Sequence, residues 1–189
     1  MKGAEQMVHK ADLRVIKSKI SIRNAFLRLI EEKGYPNITI KDIAERAMIN
    51  RKTFYRHYES IDALCDEVIK DTFALLVTNS QFEKPEFIDF SGIDLTREIQ
   101  IIIHNIALNE KMIKTIFNGR SSSDLTIRLE KLVYNAIEQI IEIKNFPEMT
   151  QELIVDSLTT LFLVMLRWWV KQDACSEEDA ANIFIELIH

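Results

Sequence analysis

Apolar and polar positions in this chain repeat at helical spacing, and no stretch alternates as a half-buried strand does. From Arg14 to Lys33, Ile16, Ile20, Ala25, Phe26, Leu29 and Ile30 recur as one stripe, with Lys17, Lys19, Arg23 and Arg28 on the remainder. Gly34 is the expected stop, because glycine commonly follows the last helical residue, and Tyr35-Pro36-Asn37 reads as a turn. Thr39 is placed to cap a short second helix, Ile40 to Ala47, with Asp42 three residues on reaching back in a variant of the capping box. Asn50 caps a third helix, Arg51 to His57, and Ser60 a fourth, Ile61 to about Asn79.

Ser80 to Gly92, with Pro85, reads as a connecting loop. Beyond it the pattern predicts helices over Asp94 to Leu108, Glu110 to Asn118 (stopped by Gly119), Ser123 to Lys144, Glu148 to Lys171 and Glu177 to Ile188. The helix from Ser123 carries the clearest amphipathic stripe: Leu125, Leu129, Leu132, Val133, Ala136, Ile137 and Ile140. Ser176 and Asp179 cap the last helix reciprocally. With 4 Gly and 3 Pro in 189 residues, long helices joined by short connections are the natural solution. The expected fold is all-α: residues 1–60 as a three-helix N-terminal domain, residues 61–189 as a larger helical C-terminal domain.

Ile40 to Tyr58, IKDIAERAMINRKTFYRHY, forms a unit of two short helices about a tight turn at Met48-Ile49. Ala44 is small where the helices must cross. Ile43, Ala47, Ile49 and Phe54 supply a miniature core, with Tyr58 four residues after Phe54. This is the helix-turn-helix pattern, whose second helix enters the major groove. With Phe54 and Tyr58 inward, Arg51, Lys52, Thr53, Tyr55 and Arg56 are left outward, a basic set with donors for phosphate and base edges. A plain helical hairpin with a solvated charged face would show similar spacing.

Charge changes the balance between those two readings. Residues 1–60 carry 13 Lys and Arg against 7 Asp and Glu, a balance of +6; residues 61–189 carry 11 against 22, or −11, giving the net −5 of the whole chain. A basic N-terminal part on an acidic remainder is suited to meeting a polyanion at one end only.

The chain also resembles the tetracycline-repressor (TetR/AcrR) family of bacterial regulators over about Arg23 to Leu64. The residues that carry the resemblance are Ala25 and Phe26, Gly34-Tyr35, Ile38-Thr39-Ile40, Asp42-Ile43-Ala44, Ala47, Arg51, Thr53-Phe54-Tyr55, His57-Tyr58, Ser60 and Ala63-Leu64. Leu161 to Ile188 resembles the C-terminal type of Gram-positive members, with paired aromatics, a short polar link and an acidic-capped last helix. The resemblance implies a homodimer on a double-stranded DNA operator. It assigns Thr39, Tyr55 and His57 to phosphate positioning; Arg51, Lys52 and Thr53 are the candidates for reading base edges, and Asn50 and Arg56 complete the candidate DNA-binding set. Two heads would meet half-sites about 34 Å apart. His57 has the alternative of a packed, hydrogen-bonded role, and Lys17 and Lys19 are equally backbone contacts or a solvated face. Two departures stand out. The family usually has Gly where this chain has Met48, and often a Lys where it has Ile61-Asp62.

Leu153 to Val170 is apolar on nearly all sides, as for a helix buried on both. Leu161, Met165, Trp168 and Trp169, with Ile183, Phe184 and Leu187, are the candidate dimerisation residues, one tryptophan facing the partner and one the core. A monomer's central helix would show the same pattern. His104, Tyr134 and Arg167, with Asn105 and Asn135, are polar residues beside apolar stripes that can line a pocket for a small-molecule effector. Release of a repressor by such an effector is the first functional expectation. The alternative is a DNA-bound regulator or activator whose C-terminal domain binds a protein partner, favoured if that domain shows an exposed apolar patch and no formed pocket.

Other chemistries find no support. Gly3, Gly34, Gly92 and Gly119 are scattered, so no phosphate-cradling loop is present, and no His, Cys, Asp or Glu set has metal-ligand spacing. No catalytic residues, cofactor or metal are expected. Cys65 and Cys175 read as isolated thiols. The N-terminal residues lack the apolar core of a signal peptide and read as a loose tail, with Met7 an equally good start. The longest uncharged apolar run, Ser157 to Leu166, falls short of the roughly 20 residues a bilayer requires. A cytoplasmic protein with no membrane partner is expected.

Overall fold

The computed structural model describes residues 2–83, 94–117, 122–143, 147–172 and 175–188. The described residues are helical with no strand: α1 (Lys2–Lys33), α2 (Ile40–Arg46), α3 (Arg51–His57), α4 (Ile61–Val77), α5 (Leu95–Leu108), α6 (Glu110–Phe117), α7 (Ser122–Ile143), α8 (Glu148–Val170) and α9 (Glu177–Ile188). Short 3-10 turns cover Tyr35–Asn37 and Gln81–Glu83. The rest of the expected 80–92 loop and the Gly119 stop lie outside the described residues. The chain divides into two compact units, one up to Val68 and one from Ile69, so the division falls inside α4 and not at its start.

Helix α1 corrects the expectation of a loose N-terminal tail, because the helix is continuous from Lys2. Residues 2–13 contain no proline, and Ala4, Glu5, Gln6, Met7, Lys10, Ala11 and Leu13 among them are good helix formers. Its buried stripe also differs from the expected one. Ile22, Ala25, Phe26, Leu29 and Ile30 are buried, whereas Ile16 and Ile20 are more than half exposed. At about 100° per residue, Ile20 lies some 160° round the helix from Ile22, and Ile16 some 120°. Only the set at 22, 25, 26, 29 and 30 stays on one side.

In the second unit α7 packs along α8, α5 along α9, and α6 against both α7 and α8. Ile103, Ile106, Ile113, Ile116, Leu125, Leu129 and Leu166 form the core. Asn105, buried, donates its side-chain N–H groups to Leu76 O (3.0 Å) and Thr78 O (2.8 Å). It therefore satisfies carbonyls at the end of α4 that the helix itself cannot, a structural duty in place of the expected pocket role. Buried Glu98 sits on the same face of α5, seven residues earlier, and accepts from the backbone N–H of Gln81 (2.8 Å). Cys65 is buried and Cys175 half-buried, and neither is in a disulfide.

Over Thr150–Val170, α8 is long and apolar enough to cross a membrane, which the shorter run counted between Asp156 and Arg167 did not reveal. Val155, Thr159, Leu163, Met165, Leu166 and Trp169 are its buried residues, about a third of that stretch.

Candidate nucleic-acid interface

The two short helices are set by their caps. Thr39 Oγ1 accepts from the N–H of Asp42 (3.2 Å), and the Asp42 carboxylate accepts from the N–H of Thr39 (2.7 Å), closing the capping box. Lys33 at the end of α1 pairs with the same carboxylate. These contacts, the hydrogen bond from Lys33 foremost and then those from Thr39, hold Asp42 well below the usual carboxylate range. A carboxyl whose pKa is depressed on folding stabilises the folded state above its unfolded value, 3.8, and loses that contribution as the pH falls below it. Urea midpoints measured between pH 5 and pH 3 are therefore expected to drop further for the native protein than for Asp42→Asn. Parallel losses in the two would refute a stabilising role for this box.

The turn between α2 and α3 is a complete Schellman motif. Met48 N–H donates to Glu45 O (3.2 Å) and Ile49 N–H to Ala44 O (2.9 Å), while Met48 has φ 54°. A side chain with a Cβ in this left-handed conformation costs roughly 1 kcal/mol or more relative to glycine. Met48 nonetheless occupies it, with its side chain 90% exposed. Asn50 Oδ1 then accepts from Lys52 N–H (2.8 Å) and starts α3.

On α3, Phe54 is completely buried and Tyr58 nearly so, their rings 5.8 Å apart. The opposite edge presents Arg51, Lys52, Tyr55 and Arg56 to solvent, with Thr53 half-buried. Asn50 is exposed at the N-terminal end of that edge. The outward basic set expected from the sequence thus lies together on one surface, and the N-terminus of α3 adds its own affinity for anions.

His57 and Thr39 stand apart from that edge. His57 is half-buried, with Nε2 2.7 Å from Ser18 Oγ on α1. That hydroxyl donates to Val15 O (2.9 Å), which makes the imidazole nitrogen the donor. Burial, then the charges of Arg56 and Lys19, push the His57 pKa down, so the ring is neutral at pH 7. Thr39 is exposed, but its hydroxyl and N–H both engage Asp42. The structure gives both residues intramolecular work.

Sequence reasoning missed the clasp that fixes α3 on its support. Lys19 on α1 pairs with Glu67 on α4 (2.7 Å) and stands 5.5 Å over the Tyr58 ring, while Tyr58 Oη donates to the other Glu67 oxygen (2.6 Å). Burial raises the Glu67 pKa, but the bonds from Lys19 and Tyr58 outweigh it and leave the group below its ordinary value. Lys19 is therefore an internal partner and not part of a free basic face. Ser21 Oγ donates to Ala47 O (3.1 Å), tying α1 to the turn itself. At the head of α4, Asp62 accepts from Tyr35 Oη (2.6 Å).

The other candidate residues fall in the second unit. Met165, Trp169 and Phe184 are buried within it, so the expected dimer set is corrected: these three already belong to the unit's own core. Trp168, half-buried, packs edge-on against Phe184 with ring centroids 5.5 Å apart. Leu161 is half-buried, and Ile183 and Leu187 are exposed. Leu153, Leu158 and Val164, not singled out from the sequence, are exposed as well. Leu153, Ser157, Thr160, Val164 and Trp168 recur at intervals of three and four, a stripe that a finer count of the α8 pattern would have found.

The three ligand candidates sit on α5, α7 and α8. His104 is exposed and meets Glu177 at 2.9 Å. Tyr134 is half-buried, its phenol pushed up by burial and by the carboxylates of Glu138, Asp156 and Glu152. Arg167 is exposed, and eleven residues along α8 separate it from Asp156, about 16 Å at 1.5 Å per residue. Asn135 is exposed too.

Capped short helices, a left-handed turn and an inward Phe54-Tyr58 pair define a helix-turn-helix protein. Residues 22–68 match the family described as bacterial regulatory proteins, tetR family. Over these residues the chain is similar to that family. The chain is 33% identical over 76 residues, 40% of its length, to the uncharacterized HTH-type transcriptional regulator YxbF of Bacillus subtilis. It is 32% identical over 66 residues, 35% of its length, to the HTH-type dhaKLM operon transcriptional activator DhaS of Lactococcus lactis. The aligned stretches span 20% and 35% of those relatives. Beyond the N-terminal unit the likeness is one of fold. A TetR transcriptional regulator from Streptococcus agalactiae superposes with a TM-score of 0.66 at 22% identity, covering 96% of this chain and 99% of that one.

Proposed function

We propose that the chain is a sequence-specific, DNA-binding transcriptional regulator that works in the cytoplasm as a homodimer. The observation that carries this reading is the exposed edge of α3, where Arg51, Lys52, Tyr55 and Arg56 stand out from a buried Phe54-Tyr58 spine at the position a recognition helix offers the major groove. Phosphate contacts set the register and base contacts specify sequence. Arg51 and Lys52, nearest the N-terminus of α3, suit guanine edges. Tyr55 and Arg56 suit the flanking backbone, and Thr39 and His57 reach it only by exchanging their internal partners.

A duplex selected from a randomised pool by the full-length protein provides the test, with fluorescence anisotropy at several salt concentrations. The selected duplex is expected to bind more tightly than a scrambled one, and added salt to weaken binding. Arg56→Ala is expected to lessen the slope of log K against log salt by about 0.9, the contribution of one phosphate contact. Failure to enrich any duplex would sink the DNA-binding reading.

Dimerisation rests on the exposed apolar stripe of α8, Leu153 and Val164 with half-buried Leu161 and Trp168, and on Ile183 and Leu187 of α9. Two such faces related by a twofold axis would bury one another, and two heads would then address two half-sites.

Repression released by a small effector is one mode of control for such a dimer. The arrangement favours the second: control through a protein partner. Leu158 and Leu108 are exposed away from the α8 stripe, and DhaS, named as an activator, is among the relatives of the N-terminal unit. A reporter driven from a promoter carrying the selected duplex separates the modes. Expression that rises when the protein is supplied with a partner supports activation, and expression that falls with the protein alone supports repression.

A further inference from the structure

We propose that Met48 is a specificity-determining residue whose side chain packs against thymine methyl groups in the major groove, beside the bases addressed by the N-terminus of α3. The inference rests on the DNA-binding reading above and adds to it a base that the basic residues cannot select.

Met48 occupies the one place in the helix-turn-helix where a side chain is unfavourable. It is the left-handed residue of the Schellman turn, φ 54°, where glycine has no Cβ to crowd. Its side chain is 90% exposed, so burial within the unit returns nothing for that strain. The only other non-glycine residue with positive φ among those described is Asn79, of a type that tolerates this region readily. A methionine held in strain and packed on nothing in its own chain finds its contacts elsewhere.

Its location names the partner. Met48 is two residues before the cap Asn50, and exposed Arg51 and Lys52 follow at once. Four residues of extended chain reach at most about 14 Å, so Met48 lies within the span of bases that the start of α3 addresses. Its chemistry narrows the choice further. The thioether side chain is unbranched, polarisable and without a strong donor, so it is a poor partner for phosphate and a good one for an apolar surface. In the major groove that surface is the C5-methyl of thymine. Arg51 and Lys52 suit guanine O6 and N7, so Met48 extends the recognised sequence to A·T pairs.

The experiment uses the full-length protein and the selected duplex. Each thymine is replaced singly by deoxyuridine, which removes the methyl and leaves every hydrogen-bonding group in place, and anisotropy gives the dissociation constants. The native protein is expected to weaken about fourfold at one thymine in each half-site, the worth of one buried methyl. Met48→Gly is expected to show no weakening there, and to melt at a higher temperature than the native protein because the turn is relieved. A higher melting temperature with the methyl response lost separates contact from folding. Identical deoxyuridine profiles in the two proteins, or no thymine at which the native protein responds, would overturn the inference. A pool that yields no duplex at all would instead overturn the DNA-binding reading on which it rests.

Discussion

Phe54→Ala is expected to remove about 3–5 kcal/mol from the stability of the N-terminal unit, the range for truncating a buried phenylalanine. Phe54 is completely buried, and its ring sits edge-on to Tyr55 and tilted against Tyr58, both at 5.8 Å. It is the one large apolar side chain α3 sends inward, and Ile43 and Ala44 of α2 are buried with it. A unit of about 70 residues has a total stability on the order of 3–10 kcal/mol, so the loss is comparable to the whole. Both tryptophans lie in the second unit, so their fluorescence will not report the event. Hydrogen exchange read by mass spectrometry over residues 22–68 will. Amides of α2 and α3 are expected to lose protection by several powers of ten while those of α7 and α8 keep theirs. Protection in α3 within a factor of ten of the native protein would mean that Phe54 is not the keystone described.

The second large effect is expected at Val164→Asp, which should turn the proposed dimer into a monomer. Val164 is 46% exposed and lies at the middle of the α8 stripe, between Leu161 and Trp168. The folded single chain leaves this position in solvent, so a carboxylate there is tolerated by the subunit, and the helical circular dichroism is expected to stay unchanged. At a twofold interface the same substitution places two carboxylates in apolar surroundings without partners. An uncompensated buried charge costs about 3–5 kcal/mol, which corresponds to a weakening of at least a hundredfold in the dimer constant. Sedimentation velocity on both proteins at micromolar concentration gives the answer. A native protein that sediments as a monomer, or a variant that remains a dimer, would remove the α8 face from the interface.

The parts of this fold legible in the sequence are those settled over a few residues. Thr39 with Asp42, Asn50 with the N–H of Lys52, Ser60 with the N–H of Ala63 and Ser176 with Asp179 are contacts between near neighbours, and all four caps stand where the spacing put them. Met48 was legible as a turn position for the same reason. What periodicity could not supply is the choice among partners distant in sequence. Ser18 and His57 are 39 residues apart and Lys19 and Glu67 are 48 apart, so nothing local announces either pair. That is why His57 and Lys19 stood open to a role on DNA until the fold engaged them. In the second unit an apolar stripe announces burial without saying what does the burying. Met165, Trp169 and Phe184 proved to be covered by their own subunit.

Helices α2 and α3 are seven residues each, two turns apiece. An isolated helix of fewer than about 12–15 residues does not repay its own nucleation in water. The surface offered to DNA is therefore not a module that α3 carries within its sequence. Its shape is lent by α1 and the head of α4, through Ser21 on the turn and Glu67 on Tyr58. Grafting Arg51 to His57 onto another scaffold would move the side chains and leave their arrangement behind. Substitutions on α1 that touch no base can in turn alter which sequence is read.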